Sequence, residues 1–249
     1  MFTIASRELR SLFHSPLAWS VLSVVQLILA ILFIIRLSLV LQPDVQSQLS
    51  MTPGAPSLTD IVVGHIFVWT GIILLLVMPL LTMRLISEER RNKTLVLLMS
   101  SPISMTSIVL GKYLGLMSFF ILMLAMISLM PLSLVLGGQI DFGQFSIALF
   151  GVLLLIGALC AIGLYISALS EHPTVAAIST FGVFLLLWII DWAGDSGQYS
   201  ELFAYLSITR HYQTLLEGLL NTTDIIYYLL IIVLFNILTI HRLDAERLQ

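Results

Sequence analysis

Six long apolar runs, separated by short polar stretches, organise the chain. They lie at about 17–41, 61–83, 113–136, 145–169, 174–193 and 225–241. A helix that crosses a bilayer needs about 20 mostly apolar residues, and the runs meet or approach that length. The expected fold is therefore an all-α membrane protein with six transmembrane helices in a single domain, 1–249. The last two runs are the shortest. Two weaker patterns sit between and before them. In Met1–Pro16, Phe2, Ile4, Leu9, Leu12 and Phe13 interleave with Arg7, Glu8, Arg10 and His14. That spacing predicts an amphipathic helix at the membrane surface; the plainer alternative is a positively charged flank. In 194–224, Leu202, Tyr205 and Leu206, then Tyr212, Leu215, Leu216 and Leu219, predict two short interfacial helices. The first run has 25 residues, too long for the roughly 7–15 of a signal-peptide core, and is expected to stay as a span.

Composition removes the soluble alternative. The chain is 59% apolar and 10% charged, against roughly 25% charged in soluble domains, so a water-facing surface cannot be assembled from it. Charge then orients it. With the N-terminus inside, the inner segments hold Arg7, Arg10, Arg84, Arg90, Arg91, Lys93, Lys112, Arg242 and Arg247, nine of the eleven basic residues. Basic residues collect on the cytoplasmic side, so both termini are expected there, which requires an even number of spans. Cys160 is the single cysteine. It excludes an intrachain disulfide and a cysteine-cluster metal site, and is expected to serve packing.

The most charged stretch, Arg84 to Lys112, joins spans two and three on the expected inner side. Glu88 and Glu89 begin a short helix, Arg90, Arg91 and Lys93 follow, Thr94, Leu95, Leu97 and Leu98 add an apolar side, and Pro102 ends it. A cytoplasmic helix with one charged and one apolar face needs a groove on another protein or the lipid surface itself. Its order of Glu88-Glu89-Arg90-Arg91, Thr94-Leu95, Leu97-Leu98, Ser101-Pro102 and Gly111-Lys112 resembles the intracellular loop of ABC-2 type permeases. The opening Glu8-Leu9 with Phe13-His14-Ser15-Pro16 is similar to the gliding-motility and copper-enzyme-maturation branch of those permeases. So is the closing set His211, Glu217-Gly218, Asp224, Tyr227 and Arg242–Arg247. There are two departures: Lys93 stands where the family usually has glycine, and Val96 where an acid usually follows Thr-Leu.

The resemblance implies a six-helix permease of the type V exporter kind in a bacterial inner membrane. Two copies of a separate ABC ATPase would drive it. It implies that Glu88–Leu98 is a coupling helix docked in an ATPase cleft, with Thr94, Leu97 and Leu98 as anchors and Glu88, Glu89, Arg90 and Arg91 as the charged rim. It implies a dimer with a second permease copy, leaves room for an accessory protein on the outer side, and gives His211 and Gly218 structural roles. Lipid surrounds the chain and no nucleic acid is involved.

No cofactor is expected on this chain; ATP and Mg would sit on the partner. A phosphate loop needs glycine five residues before the glycine of Gly-Lys and Ser or Thr after the lysine, but Thr106 and Tyr113 occupy those positions. An intramembrane glutamyl protease would need arginine where Lys93 stands. An ATP-independent carrier or scaffold is the other alternative; carriers usually place ionisable groups at the bilayer midplane, and the middles of these spans are nearly free of charge. His65, His172 and His211 lack metal-ligand spacing. Arg36, one turn from the end of span one, either snorkels to headgroups or pairs across a dimer with an acid such as Asp191. Gly111 and Gly115 form a small-xxx-small pair that permits close helix approach, or serve loop-to-helix geometry.

Overall fold

The computed structural model describes residues 1–44, 59–95, 103–136, 140–194 and 207–247. Every regular element among them is helical. In chain order these are α1 (Phe2–His14), α2 (Pro16–Val40), a π-helical turn (Thr59–Gly64) running into α3 (His65–Thr82), α4 (Ser87–Arg91) and α5 (Met105–Ser133). Then come α6 (Phe142–Leu169), α7 (Pro173–Gly194), α8 (Ile208–Leu216) and α9 (Thr222–Arg247). Six helical stretches are long and apolar enough to span a membrane: Pro16–Val40, Ile61–Arg91, Met105–Ser133, Phe142–Leu169, Pro173–Ile190 and Thr222–Arg247. The two shortest apolar runs thus form spanning helices, and the sixth extends past its apolar run through Arg247.

Local signals set the boundaries. Pro16 opens α2 from its first turn, where its missing N–H costs nothing. Ser104, Asp141 and Ser207 cap α5, α6 and α8 with side-chain oxygens that accept backbone N–H groups. Gly218, at φ +81, terminates α8 in a left-handed conformation open to glycine.

The core is centred on α6. In its most apolar window 78% of residues are buried, against 17% for the α7 span and 22% for α9. Its small residues make this possible: Gly151, Gly157 and Gly163 let Leu215, Ile232 and Thr82 approach so closely that an added Cβ would meet each within 2.8 Å. Cys160 is fully buried beside Met78. The outward faces of α2, α7 and α9 remain apolar and exposed, with Trp19, Ile34, Ile178, Leu186 and Leu230 among them, as a bilayer-facing surface requires.

One expectation changes form. The short helix that begins at Glu88–Glu89 does not run on to Leu98: α4 ends at Arg91, and Lys93 adopts φ +57. A left-handed residue closes a helix, so the chain turns before Leu95. Lys93 is also where the resemblance expects glycine. The position wants the conformation glycine adopts most cheaply, and this chain holds it with a lysine instead. Of the two helices expected between 194 and 224, the one over Tyr212–Leu216 is α8; Leu202, Tyr205 and Leu206 lie outside the described residues.

Candidate functional site

At one end of the bundle, charged side chains from α1, α5 and α9 converge on α4. Its first backbone N–H groups have no cap of their own. Ser167 of α6 supplies one: its Oγ accepts from the N–H of Ile86 (3.1 Å) and Ser87 (3.2 Å) and donates to the carbonyl of Met83 (3.1 Å). The N-terminus of α4 is thereby fastened to the most buried helix in the molecule, meeting donors that would otherwise be orphaned.

Two ion-pair systems grip α4 from either side. Arg90 Nη2 donates to both carboxylate oxygens of Glu246 (2.8 and 2.7 Å) and to the carbonyl of Ala168 (2.8 Å), joining α4 to α9 and α6. Arg242 also reaches Glu246, at 3.2 Å. On the other side Lys112 of α5 is almost wholly buried and lies 2.8 Å from Glu89 of α4 and 3.3 Å from Glu8 of α1. Burying a positive charge is costly unless it is paired, and here two carboxylates surround it. Glu89 Oε2 is buried and has no hydrogen-bond partner among the described residues.

Helix α1 reaches Lys112 because α5 has a groove for it. A Cβ at Gly111 would lie 2.8 Å from Ile4 Cβ, and one at Gly115 would lie 2.7 Å from Glu8 Cβ and 3.0 Å from the Ala5 carbonyl. The small-xxx-small pair therefore faces α1, which inserts Leu12 into the core and lays the ring of Phe13 5.6 Å from that of Phe119.

The residues singled out from the sequence thus divide. Glu89 and Arg90 turn into the bundle, whereas Glu88, Arg91, Lys93 and Thr94 are exposed. Leu95, on the apolar side of the expected helix, is buried. Leu97, Leu98 and Pro102 lie outside the described residues. Glu246 and Ser167, partners of α4 from distant segments, carry no local sequence signal. Lys112, a lone cation at the start of an apolar run, did carry one: a charge there needs a partner.

The other end is built differently. His211 Nδ1 lies 2.6 Å from Asp224 Oδ1, both buried, and the imidazole stacks on Tyr227 with centroids 4.2 Å apart. Tyr212 donates to the Phe67 carbonyl (2.5 Å) and Tyr228 to that of Ile208 (2.7 Å). Gly71 makes room for the Tyr212 ring, and burial pushes that phenol's pKa well up, so it stays a donor. Arg36 donates through Nε to the Ile61 carbonyl at 3.2 Å; the side chain of Asp191 lies outside the described set. No group of three His, Cys, Asp or Glu side chains able to hold a metal occurs among the described residues.

No curated protein matches the sequence. Residues 2–248, essentially the whole chain, fit the profile of the ABC-2 family transporter proteins. With six spanning helices and a charged element tied into one end of the bundle, this chain belongs to the ABC-2 family of membrane transporter permeases.

Proposed function

We propose that the chain is the membrane-spanning subunit of an ABC transporter, in which α4 and the residues after it receive force from a separate ATPase. The observation that carries this reading is the two-sidedness of α4. Ser167, Arg90–Glu246 and Lys112–Glu89 tie its inner face to α6, α9 and α5, and through Lys112 to α1. Its outer face offers Glu88 and Arg91 to a partner, and the turn that follows offers Lys93 and Thr94. A displacement of α4 is therefore passed to four helices at once rather than absorbed by a loose loop. Exposed charges at such a surface set register and partner choice, and the apolar pair Leu97–Leu98 in the following sequence supplies anchors. The bias of basic residues toward this end supports a cytoplasmic position for both termini. Two ATPase copies and a second permease copy complete the assembly in the bacterial inner membrane, and the cargo leaves the cell or the motion itself is the signal.

Co-purification tests the reading. The double variants Glu88→Lys/Arg91→Glu and Leu97→Asp/Leu98→Asp are expected to remain in the membrane as folded protein and to lose the ATPase subunit. Undiminished co-purification of an ATPase with both variants would remove α4 and its continuation from the coupling role.

A further inference from the structure

The end of the bundle away from α1 holds a cavity that neither the coupling site nor the packing explains. It has a volume of about 350 Å³, and Arg36, His65, Gln213 and Glu217 supply polar groups to its wall. Arg36 is half-buried. A snorkelling arginine would extend away from the bundle; this one is tethered by its Nε to the Ile61 carbonyl. Its two Nη groups have no partner among the described residues. The guanidinium is a cation, and Arg36 lines the open space, so an anion placed there suits those donors. His65 adds to them: its Nε2 accepts the indole N–H of Trp69 at 3.1 Å, which leaves the proton on Nδ1 as a further donor. On the opposite chemistry, Glu217 is an exposed carboxylate with no partner among the described residues, and it does not pair with Arg36 although both face the same space.

An apolar groove adjoins the cavity. Val68 and Gln213 belong both to its wall and to that of a second space of about 130 Å³ bounded by Gly71, Ile72 and Leu75. Ile72, Leu75 and Trp188 lead on to a third, of about 240 Å³, closed by Leu76, Phe181 and Leu185. From His65 to Leu76 the path follows α3 for about 17 Å at 1.5 Å per residue, the reach of an acyl chain. It begins polar near the end of the spans and becomes wholly apolar toward their middle.

From this we infer a binding site for a zwitterionic phospholipid with a primary-ammonium headgroup. Its phosphate sits against Arg36 and His65, its ammonium against Glu217, and one acyl chain lies along α3 between Phe181 and Trp188. Charge complementarity selects this occupant. One cation and one anion, unpaired with each other, match a headgroup carrying both signs better than a purely anionic one, which Glu217 would repel. The site does not depend on the ATPase-coupled reading, since it uses none of the residues around α4.

Photolabelling in nanodiscs tests it. Phosphatidylethanolamine and phosphatidylglycerol probes, each with a diazirine near the end of one acyl chain, are compared by mapping the labelled peptides. The ethanolamine probe is expected to label residues 68–76 and 181–188 above the remaining lipid-facing surface. Arg36→Ala is expected to reduce that labelling at least five-fold without changing label elsewhere. Glu217→Gln, a change at an exposed position, is expected to abolish the preference for ethanolamine over glycerol, and decides the question alone if Arg36→Ala does not insert. Even labelling around the bundle, groove labelling indifferent to headgroup in the unaltered protein, or cross-linking of these residues to a second copy in place of lipid would overturn the proposal.

Discussion

The two ends of this bundle are fastened by different chemistry. At the α1 end, Lys112, Glu8, Glu89, Arg90 and Glu246 join helices through ion pairs whose carboxylates keep about a fifth of their surface exposed. At the opposite end, tyrosine hydroxyls reach backbone carbonyls, rings stack, and the His211–Asp224 pair is almost wholly buried. Ion pairs tolerate small changes of distance, because Coulomb attraction falls off slowly. A hydroxyl bonded to a carbonyl inside packed rings does not, because hydrogen bonds weaken steeply with geometry. The first end is fastened by contacts tolerant of small displacements, the second by contacts that fix its helices in register.

The largest effect is expected from Lys112→Met. Removing the cation leaves Glu8 and Glu89 facing each other in a largely buried space, and breaking one partner from a buried ion cluster costs about 3–5 kcal/mol. Thermal unfolding in detergent, with protease sensitivity of α1 as a local readout, checks it; unchanged values would remove Lys112 as the link between α1 and α4. At the other end, Asp224→Ala strands the His211 ring nitrogen in a buried site and is expected to cost about 2 kcal/mol, with α1 remaining protected. Loss of α1 protection here would erase the distinction between the two ends. Tyr212→Phe removes only the bond to the Phe67 carbonyl and is expected to cost about 1 kcal/mol. Lys93→Gly has the opposite sign. A left-handed lysine is strained by about 1–2 kcal/mol, so glycine is expected to raise the unfolding midpoint by the equivalent of about 1 kcal/mol. A decrease would mean that the lysine side chain stabilises the turn. Smallest of all, Glu88→Ala and Arg91→Ala touch exposed side chains and are expected to change stability by less than about 0.5 kcal/mol; a larger loss would show that the exposed side of α4 is held within the chain.

Much of the fold was legible beforehand because a bilayer leaves few choices. Backbone groups in hydrocarbon must be satisfied internally, so a long apolar run becomes a spanning helix almost regardless of its neighbours. The amphipathic pattern over Phe2–His14 was equally direct, since it depends on a few adjacent residues. The candidate site was half legible. The density of charge at Glu88–Lys93 marked the segment, but not that Glu89 and Arg90 face inward while Glu88 and Arg91 face out. A five-residue helix is too short for periodicity to assign its faces.

By itself, then, the sequence determined the six spans, the surface helix before them, and the place where charge concentrates. Each of these follows from local hydrophobicity and the solvent that surrounds it. Only the tertiary structure decided which charges meet. Lys112 finds Glu8 from the far N-terminus, Arg90 finds Glu246 from the far C-terminus, and Ser167 caps a helix eighty residues away. Such pairings depend on how close two helices come. That closeness is set here by glycines at 111, 115 and 163, whose missing side chains mean nothing until the facing helix is known.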